Sequence, residues 1–115
     1  MTEQMVDIKY ESSPVLECGL LKLNITEQLV SVNGERTKLT TSESKVLEYL
    51  VLHAGELVTK TELAEHIYGQ DLRASNVIEV FVGRLRKKLD PSGELIPIET
   101  VYGRGYRLAF AEYEE

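Results

Sequence analysis

The sequence predicts an α+β domain in which an N-terminal antiparallel sheet precedes three helices and a C-terminal β-hairpin. Three observations lead to this prediction. Apolar and polar residues alternate over residues 15–39, apolar residues recur at helical spacing over residues 40–89, and alternation returns from residue 96. With 115 residues and 43% hydrophobic side chains, the chain is long enough for one domain with its own core.

We expect this domain to occupy residues 15–111. Residues 1–14 are polar, end in Ser-Ser-Pro and show no period, which is typical of a disordered linker or tail, and residues 112–115 are predicted to form a C-terminal tail. Cys18 is the single cysteine and has no partner for an internal disulfide, which fits a reducing cytoplasm. No apolar run approaches the roughly 18 residues of a membrane span, so we expect a cytoplasmic protein without a membrane segment.

The N-terminal sheet is predicted from short alternating runs. "VLECGLLKLNI", "QLVSV" and "ERTKL" follow one another, and Asn33-Gly34 separates the last two. Asn-Gly favours a two-residue hairpin turn because both residues tolerate positive φ. We therefore expect an antiparallel sheet over residues 15–39.

Two capping boxes and two glycines are predicted to mark the ends of the first two helices. In each box a threonine precedes a glutamate by three residues, so that each side chain can bind the backbone N–H of the other. A glycine that fits a helix C-cap follows each helical pattern. These residues are Thr40, Glu43 and Gly55 for the first helix, and Thr59, Glu62 and Gly69 for the second.

The third helix is predicted from "SNVIEVFVGRLRKKLD", residues 75–90. Asn76 can cap it, with Glu79 at the reciprocal position. Apolar residues at spacings of 4, 3 and 4 predict one buried face, and the remaining positions face outward. The buried face comprises Ile78, Val82, Leu85 and Leu89, and the outward face includes Asn76, Val80, Gly83, Arg84 and Lys87.

The last predicted element is a hairpin with an arginine at its tip. In "LIPIETVYGRGYRLAF" two alternating runs flank Gly103-Arg104-Gly105, whose glycines permit positive φ in a turn. A basic helix followed by such a hairpin predicts a winged helix-turn-helix. An α-helix fits the DNA major groove, and an arginine at the tip of a hairpin suits a narrow minor groove.

The charges are segregated along the chain. The net charge of -6 argues by itself against nucleic-acid binding. Residues 75–107, however, hold six Lys/Arg and four acids, whereas the rest of the chain holds seven and fifteen. Four of the six cations fall between Arg84 and Lys88, where charge alone is equally consistent with a solvated helix end. A polarised domain can nevertheless direct one basic face toward a polyanion.

Four motifs together resemble the OmpR/PhoB-type winged-helix effector domain of bacterial two-component response regulators. They are "LTTSE", "GELVTKTEL", "NVIEVFVGRLRKKL" and "IETVYGRGYRL", and the similarity runs from about Leu16 to Phe110. The last two motifs, in this order and at this separation, are highly specific. The resemblance implies a transcription factor that binds double-stranded DNA, is not an enzyme and needs no cofactor.

The resemblance also implies partners. Family members usually bind tandem direct repeats in promoters, often as head-to-tail dimers, and a receiver domain phosphorylated by a sensor kinase precedes the effector domain. No receiver is present in this chain, so we expect an isolated effector domain that is monomeric away from DNA. Some members contact RNA polymerase through the loop between the second and third helices, which here contains Gly69, Gln70, Asp71, Leu72 and Arg73.

By position, the resemblance implies a recognition helix over about 76–89 in the major groove and a wing over 96–110. Residues Asn76, Val77, Val80 and Arg84 of the recognition helix would contact base edges or the adjacent backbone. Arg104 would enter the minor groove. Phosphates would be held by Arg86, Thr100 and Tyr68, the last where relatives often carry Trp. The complete set of implied contact residues is Tyr68, Asn76, Val77, Glu79, Val80, Arg84, Arg86, Lys87, Thr100, Tyr102 and Arg104.

Two residues depart from the family pattern. Gly83 stands where many relatives carry a polar or basic contact residue, and Tyr102 where they often carry Arg. Two alternative functions stay open: a winged-helix protein-interaction module, and the cytoplasmic DNA-binding domain of a membrane-tethered regulator. No metal site is expected, because His53, His66 and Cys18 do not have metal-ligand spacing.

Overall fold

The computed structural model describes residues 15–69, 76–91, 93 and 97–109. Within these residues an antiparallel sheet, three helices and a second small sheet follow in the predicted order. The elements are β1 (Val15–Cys18), β2 (Leu21–Asn24), β3 (Leu29–Val32), β4 (Glu35–Lys38), α1 (Thr41–Leu52), β5 (Val58–Thr59), α2 (Lys60–Tyr68), α3 (Ile78–Leu89), β6 (Ile98–Val101) and β7 (Gly105–Leu108).

The N-terminal sheet confirms the prediction from alternation. Its strands are antiparallel, in the order β1-β2-β3-β4. At the β3–β4 turn, Asn33 and Gly34 have φ angles of 53° and 91°, as a two-residue Asn-Gly hairpin requires. Leu21, Leu23 and Val30 are buried on one face, which packs on the helices.

Both predicted capping boxes are present. Thr40 Oγ1 accepts a hydrogen bond from Glu43 N at 3.2 Å, and Glu43 Oε1 accepts one from Thr40 N at 3.0 Å. Thr59 and Glu62 repeat the arrangement, at 3.0 and 2.7 Å. The N-terminal N–H groups of α1 and α2 are thus satisfied by residues that the sequence identifies locally.

Two other predicted caps are wrong. Helix α1 ends with His53 as its C-cap, and the N–H of Gly55 donates to the Leu108 carbonyl at 3.0 Å instead of closing the helix. The N-cap of α3 is Val77, without a side-chain hydrogen bond, because Asn76 and Val77 form a 3₁₀ turn that leads into the helix. A residue in such a turn lacks the extended backbone of an N-cap.

Helix α3 packs through the predicted face. Ile78, Val82, Leu85 and Leu89 are all buried and belong to the core that α3 shares with α1 and both sheets. The outward face is exposed, apart from Gly83, which is half-buried. After α3, Gly93 N donates to the Asp90 carbonyl at 3.0 Å and closes a turn that ends the helix.

The wing contains a strand that was not predicted. The two residues of β5 pair with β7, so that the second sheet has the order β5-β7-β6. Thr59 lies opposite Gly105, where a Cβ would come within 2.1 Å of the Val58 carbonyl oxygen. The absent side chain of Gly105 therefore allows β5 to approach.

Several predicted segments lie outside the described residues. They are the tails at 1–14 and 112–115, the loop residues Gln70 to Arg73, and the ends of the wing at Ile96 and Phe110. Among the helices that the structure does describe, none has the length and apolar character needed to cross a membrane.

Candidate nucleic-acid interface

One surface of the domain combines three elements: the outward side of α3, the first turn of α2 and the tip of the β6–β7 hairpin. An open groove of about 530 Å³ lies between them. The helices supply its cations on one side and the wing supplies them on the other. The residues of the groove that carry the polar chemistry are Lys60, Glu79, Arg86, Thr100, Tyr102 and Arg104.

The outward side of α3 presents two cations and two large apolar side chains. Arg84 and Lys87 are exposed, and no hydrogen bond or ion pair within the described residues engages either side chain. Val77 and Val80 are 37% and 49% exposed, although most valines lie inside proteins. This mixture of cation and methyl groups offers both charge and shape to a ligand that covers the helix.

Arg86, in contrast, is bound within the domain. Its Nε and Nη2 donate to the Ile98 carbonyl at 3.1 and 2.8 Å, and Nη2 also donates to Thr100 Oγ1 at 2.6 Å. The guanidinium lies 5.8 Å from the centroid of the Tyr106 ring. These contacts join α3 to the wing. These bonds use Nε and Nη2, so Nη1 is the part of the guanidinium that is left for a phosphate. The phosphate contacts of Arg86 and Thr100 stay predictions.

An ion pair crosses the groove between α2 and α3. Lys60 Nζ donates to Glu79 Oε2, and the two side chains are 43% and 60% exposed. The bond raises the pKa of Lys60 above its ordinary value. Sequence reasoning missed Lys60. Its position directly after the Thr59 N-cap puts it in the first turn of a helix, but only the tertiary fold brings it to Glu79.

The wing tip is a three-residue loop, because Val101 and Gly105 are already paired. The predicted turn at 103–105 is therefore shifted by one residue. Arg104 N donates to the Val101 carbonyl at 2.9 Å, and Gly103 has a φ of 79° at the centre of the turn. Tyr102 is 89% exposed beside it, and Arg104 is exposed as predicted. The tip thus presents an aromatic ring as well as a cation.

Tyr68 lies away from this groove. It ends α2, eight residues after Lys60, which corresponds to a rise of about 12 Å along the helix. Its ring is 39% exposed. Gly69 caps α2 with a φ of 73°, and the rest of the loop predicted to contact RNA polymerase lies outside the described residues.

Another pair of titratable residues fixes the far end of α3. Glu43 is 1% exposed, and its Oε1 lies 2.6 Å from Lys88 Nζ. Burial alone would raise the pKa of Glu43, but the hydrogen bonds from Lys88 and Thr40 outweigh burial and lower it. For metals, the described part of the chain contains no group of three His, Cys, Asp or Glu side chains that could hold an ion.

Residues 34–108 match the family described as "Transcriptional regulatory protein, C terminal". The chain belongs to this family. The matched residues include all three helices and the wing, so the family assignment rests on the elements that build the groove.

A curated relative supports the assignment. The two-component response regulator PhoP of Pseudomonas aeruginosa is 44% identical over 92 residues, which make up 79% of this chain and 41% of that protein. The chain therefore spans less than half the length of the relative.

Solved structures agree. The DNA-binding domain of CpxR from E. coli superposes with a TM-score of 0.71 and 32% identity, covering 86% of this chain and 99% of that one. The Klebsiella pneumoniae RstA DNA-binding domain in complex with the RstA box gives a TM-score of 0.67 and 30% identity, covering 83% and 96%. The predicted fold and the resemblance to OmpR/PhoB-type effector domains are thereby confirmed. The domain is thus a C-terminal domain of the transcriptional regulatory protein family, similar to the corresponding part of a two-component response regulator.

Proposed function

We propose that this domain binds double-stranded DNA sequence-specifically, with α3 in the major groove and the wing tip at an adjacent minor groove. The observation that carries the proposal is the position of Arg84, Lys87 and Arg104. All three are exposed cations: Arg84 and Lys87 lie on the outward side of α3, and Arg104 lies at the tip of the wing. A helix and a hairpin tip placed in this way suit two neighbouring grooves of one duplex.

The exposed side of α3 offers chemistry suited to base edges. Arg84 can donate two parallel hydrogen bonds to guanine, and Asn76 can pair with adenine. Val77 and Val80 present methyl groups that suit thymine methyls. Specificity would therefore arise from the polar contacts of Arg84 and Asn76 together with the apolar contacts of Val77 and Val80.

Phosphate contacts would come from the borders of this surface. Lys87 on α3 and Tyr68 at the end of α2 can bind phosphates, and Arg86 can add Nη1 while its other donors hold the wing. Glu79 would repel phosphates if it were unpaired. Its ion pair with Lys60 offsets this charge and fixes its carboxylate beside the groove.

Binding is tested by replacing the two proposed groove arginines. Arg84→Ala should weaken binding by about 1–3 kcal/mol and relax specificity at one base pair. Arg104→Ala should weaken binding to sites with a narrow minor groove more than to other sites. Fluorescence anisotropy with duplexes selected from random DNA by the wild-type domain provides both measurements.

Arg36→Ala is the matched control. Arg36 is an exposed arginine of β4 that lies among Lys22, Asn24 and Ser31 of the N-terminal sheet, so its loss removes the same charge away from the proposed contacts of α3 and the wing. Its effect should stay within about 0.5 kcal/mol, as for most surface substitutions. Wild-type affinity in the double variant Arg84→Ala/Arg104→Ala would refute the proposed docking.

Membership of the family supports a proposal for the partners of the whole protein. We propose a cytoplasmic response regulator whose receiver domain is phosphorylated by a sensor kinase, and which binds promoter direct repeats as a dimer. The segment from Gly69 to Arg73 is proposed to contact RNA polymerase. Transcription in vitro, with polymerase and a full-length protein that contains this domain, tests the last point. A promoter-bound regulator with no effect on initiation would count against it.

A further inference from the structure

Gly83 lies in the middle of α3, where glycine is among the least favourable residues for a helix. The protein itself gives no reason for it. A Cβ built on Gly83 would meet no atom within 4 Å beyond its own helix and chain neighbours, and its backbone does not have positive φ. Alanine would therefore fit the folded domain and favour the helix.

Gly83 is half-buried, but its neighbours leave the space that a side chain would occupy open. Residues three or four positions away are its neighbours on the helix surface, and they include Glu79 and Arg86 on the wing side. Both carry long side chains, but neither comes within 4 Å of a Cβ built on the glycine. Glu79 is held by Lys60, and Arg86 is held by Ile98 and Thr100. We call the open surface over Gly83 the notch.

The notch lies within the surface proposed to face DNA. Val80 and Lys87, its other neighbours on the helix, are both exposed. The Cα atoms of a helix lie about 2.3 Å from its axis, whereas side chains extend to about 5–6 Å. A ligand can therefore approach the helix axis roughly 3 Å more closely at Gly83 than at the side chains around it.

We propose that the notch receives the sugar–phosphate backbone of one DNA strand, with a deoxyribose packed on the Gly83 Cα. This inference rests on the proposed function and deepens it, because Gly83 then sets how closely α3 approaches the strand. Lys87, one turn further along, binds an adjoining phosphate. Glycine allows this close approach because it has no side chain.

Gly83→Ala separates this role from a role in folding. The variant should be more stable than the wild type, with a Tm higher by about 4 °C, because alanine favours the helix and nothing obstructs it. Its affinity for a duplex selected by the wild-type domain should nevertheless fall on the order of tenfold, since the new methyl group occupies the place of the deoxyribose. Leu52→Ala, at an exposed position of α1, serves as the control and should leave affinity unchanged.

The outcomes are distinct. Equal or tighter binding by Gly83→Ala, with wild-type binding intact, overturns the close approach and leaves the proposed function standing. A lower Tm in Gly83→Ala also overturns it, because the glycine would then serve the fold. Absence of binding by the wild type to any duplex from the random pool would overturn the proposed function and this inference together.

Discussion

A single buried carboxylate fixes the end of the recognition helix. Glu43 closes the capping box of α1 and also accepts a hydrogen bond from Lys88 in the last turn of α3. Lys88 Nζ donates in addition to the Lys38 carbonyl at 3.2 Å. One ammonium thus joins α3, α1 and the end of β4, so that the orientation of α3 depends on a pair of side chains outside the groove.

Lys88→Met should destabilise the domain and change its response to pH. Methionine keeps the apolar stem but leaves a buried carboxylate without its cation, at a cost of about 1–3 kcal/mol, given that Lys88 is partly exposed. The folded pKa of Glu43 is lowered, so the pair contributes stability above the ordinary glutamate pKa. That stability is lost as the pH falls through the folded value. Urea unfolding from about pH 7 to about pH 2.5, a range that extends well below the ordinary glutamate pKa, measures this.

The expected result is a difference between variant and wild type that shrinks as the pH falls. Lys45→Met, at an exposed position on α1, is the matched control and should change stability by no more than about 0.5 kcal/mol. A difference that stays constant over this pH range would show that lost packing, and not the ion pair, explains the Lys88 variant.

The packing of β5 against the wing requires that residue 105 has no side chain. Gly105→Ala should destabilise the domain by about 1–3 kcal/mol, because the added Cβ would overlap the Val58 carbonyl oxygen and push β5 from β7. Gly103→Ala is the matched control. A Cβ at Gly103 would lie in open space, so this substitution costs only the strain of placing alanine at a positive φ, about 1 kcal/mol. Chemical denaturation compares the two. Equal losses in the free energy of unfolding would mean that β5 can move away from the added Cβ at little cost. The close approach of β5 would then not be the reason for glycine at position 105.

The contrast between predicted and missed elements follows from the range of the interactions. The buried face of α3 and both capping boxes were predicted because they depend on spacings of three or four residues. Strand β5 was missed because two residues acquire strand structure only by pairing with β7, far along the chain. The cap at Asn76 failed for a different, local reason, since a 3₁₀ turn at Asn76 and Val77 replaces the extended backbone that a cap requires.

The same distinction between short-range and long-range interactions applies to the candidate site. The exposure of Arg84, Val80 and Arg104 follows from helix period and hairpin topology, so the sequence located them. The bonds of Arg86 to the wing, and the pair of Lys60 with Glu79, join residues 12 to 19 positions apart. Neither was visible in the sequence, and both decide which cations are free to meet a ligand.

Over the whole molecule, charge favours one orientation on DNA. The net charge is -6, yet the described cations without an ion pair include Arg84, Lys87 and Arg104 on the proposed DNA-facing surface. Most of the excess acid lies outside residues 75–107. A polyanion is therefore attracted to this surface and repelled elsewhere. We expect non-specific affinity to be low, so that specific contacts determine which sites are occupied.

The dependence of binding on salt tests this distribution of charge. Each phosphate neutralised by a cation contributes about -0.9 to the slope of log affinity against log salt concentration. Lys87→Ala should therefore make the slope less steep by about one and weaken all sequences alike, whereas Arg84→Ala should mainly alter sequence preference. Titrations from about 50 to 200 mM salt measure both effects, with Arg36→Ala as the charge-matched control. A nearly flat slope for the wild type would show that the exposed cations do not neutralise phosphates and would contradict the proposed orientation on DNA.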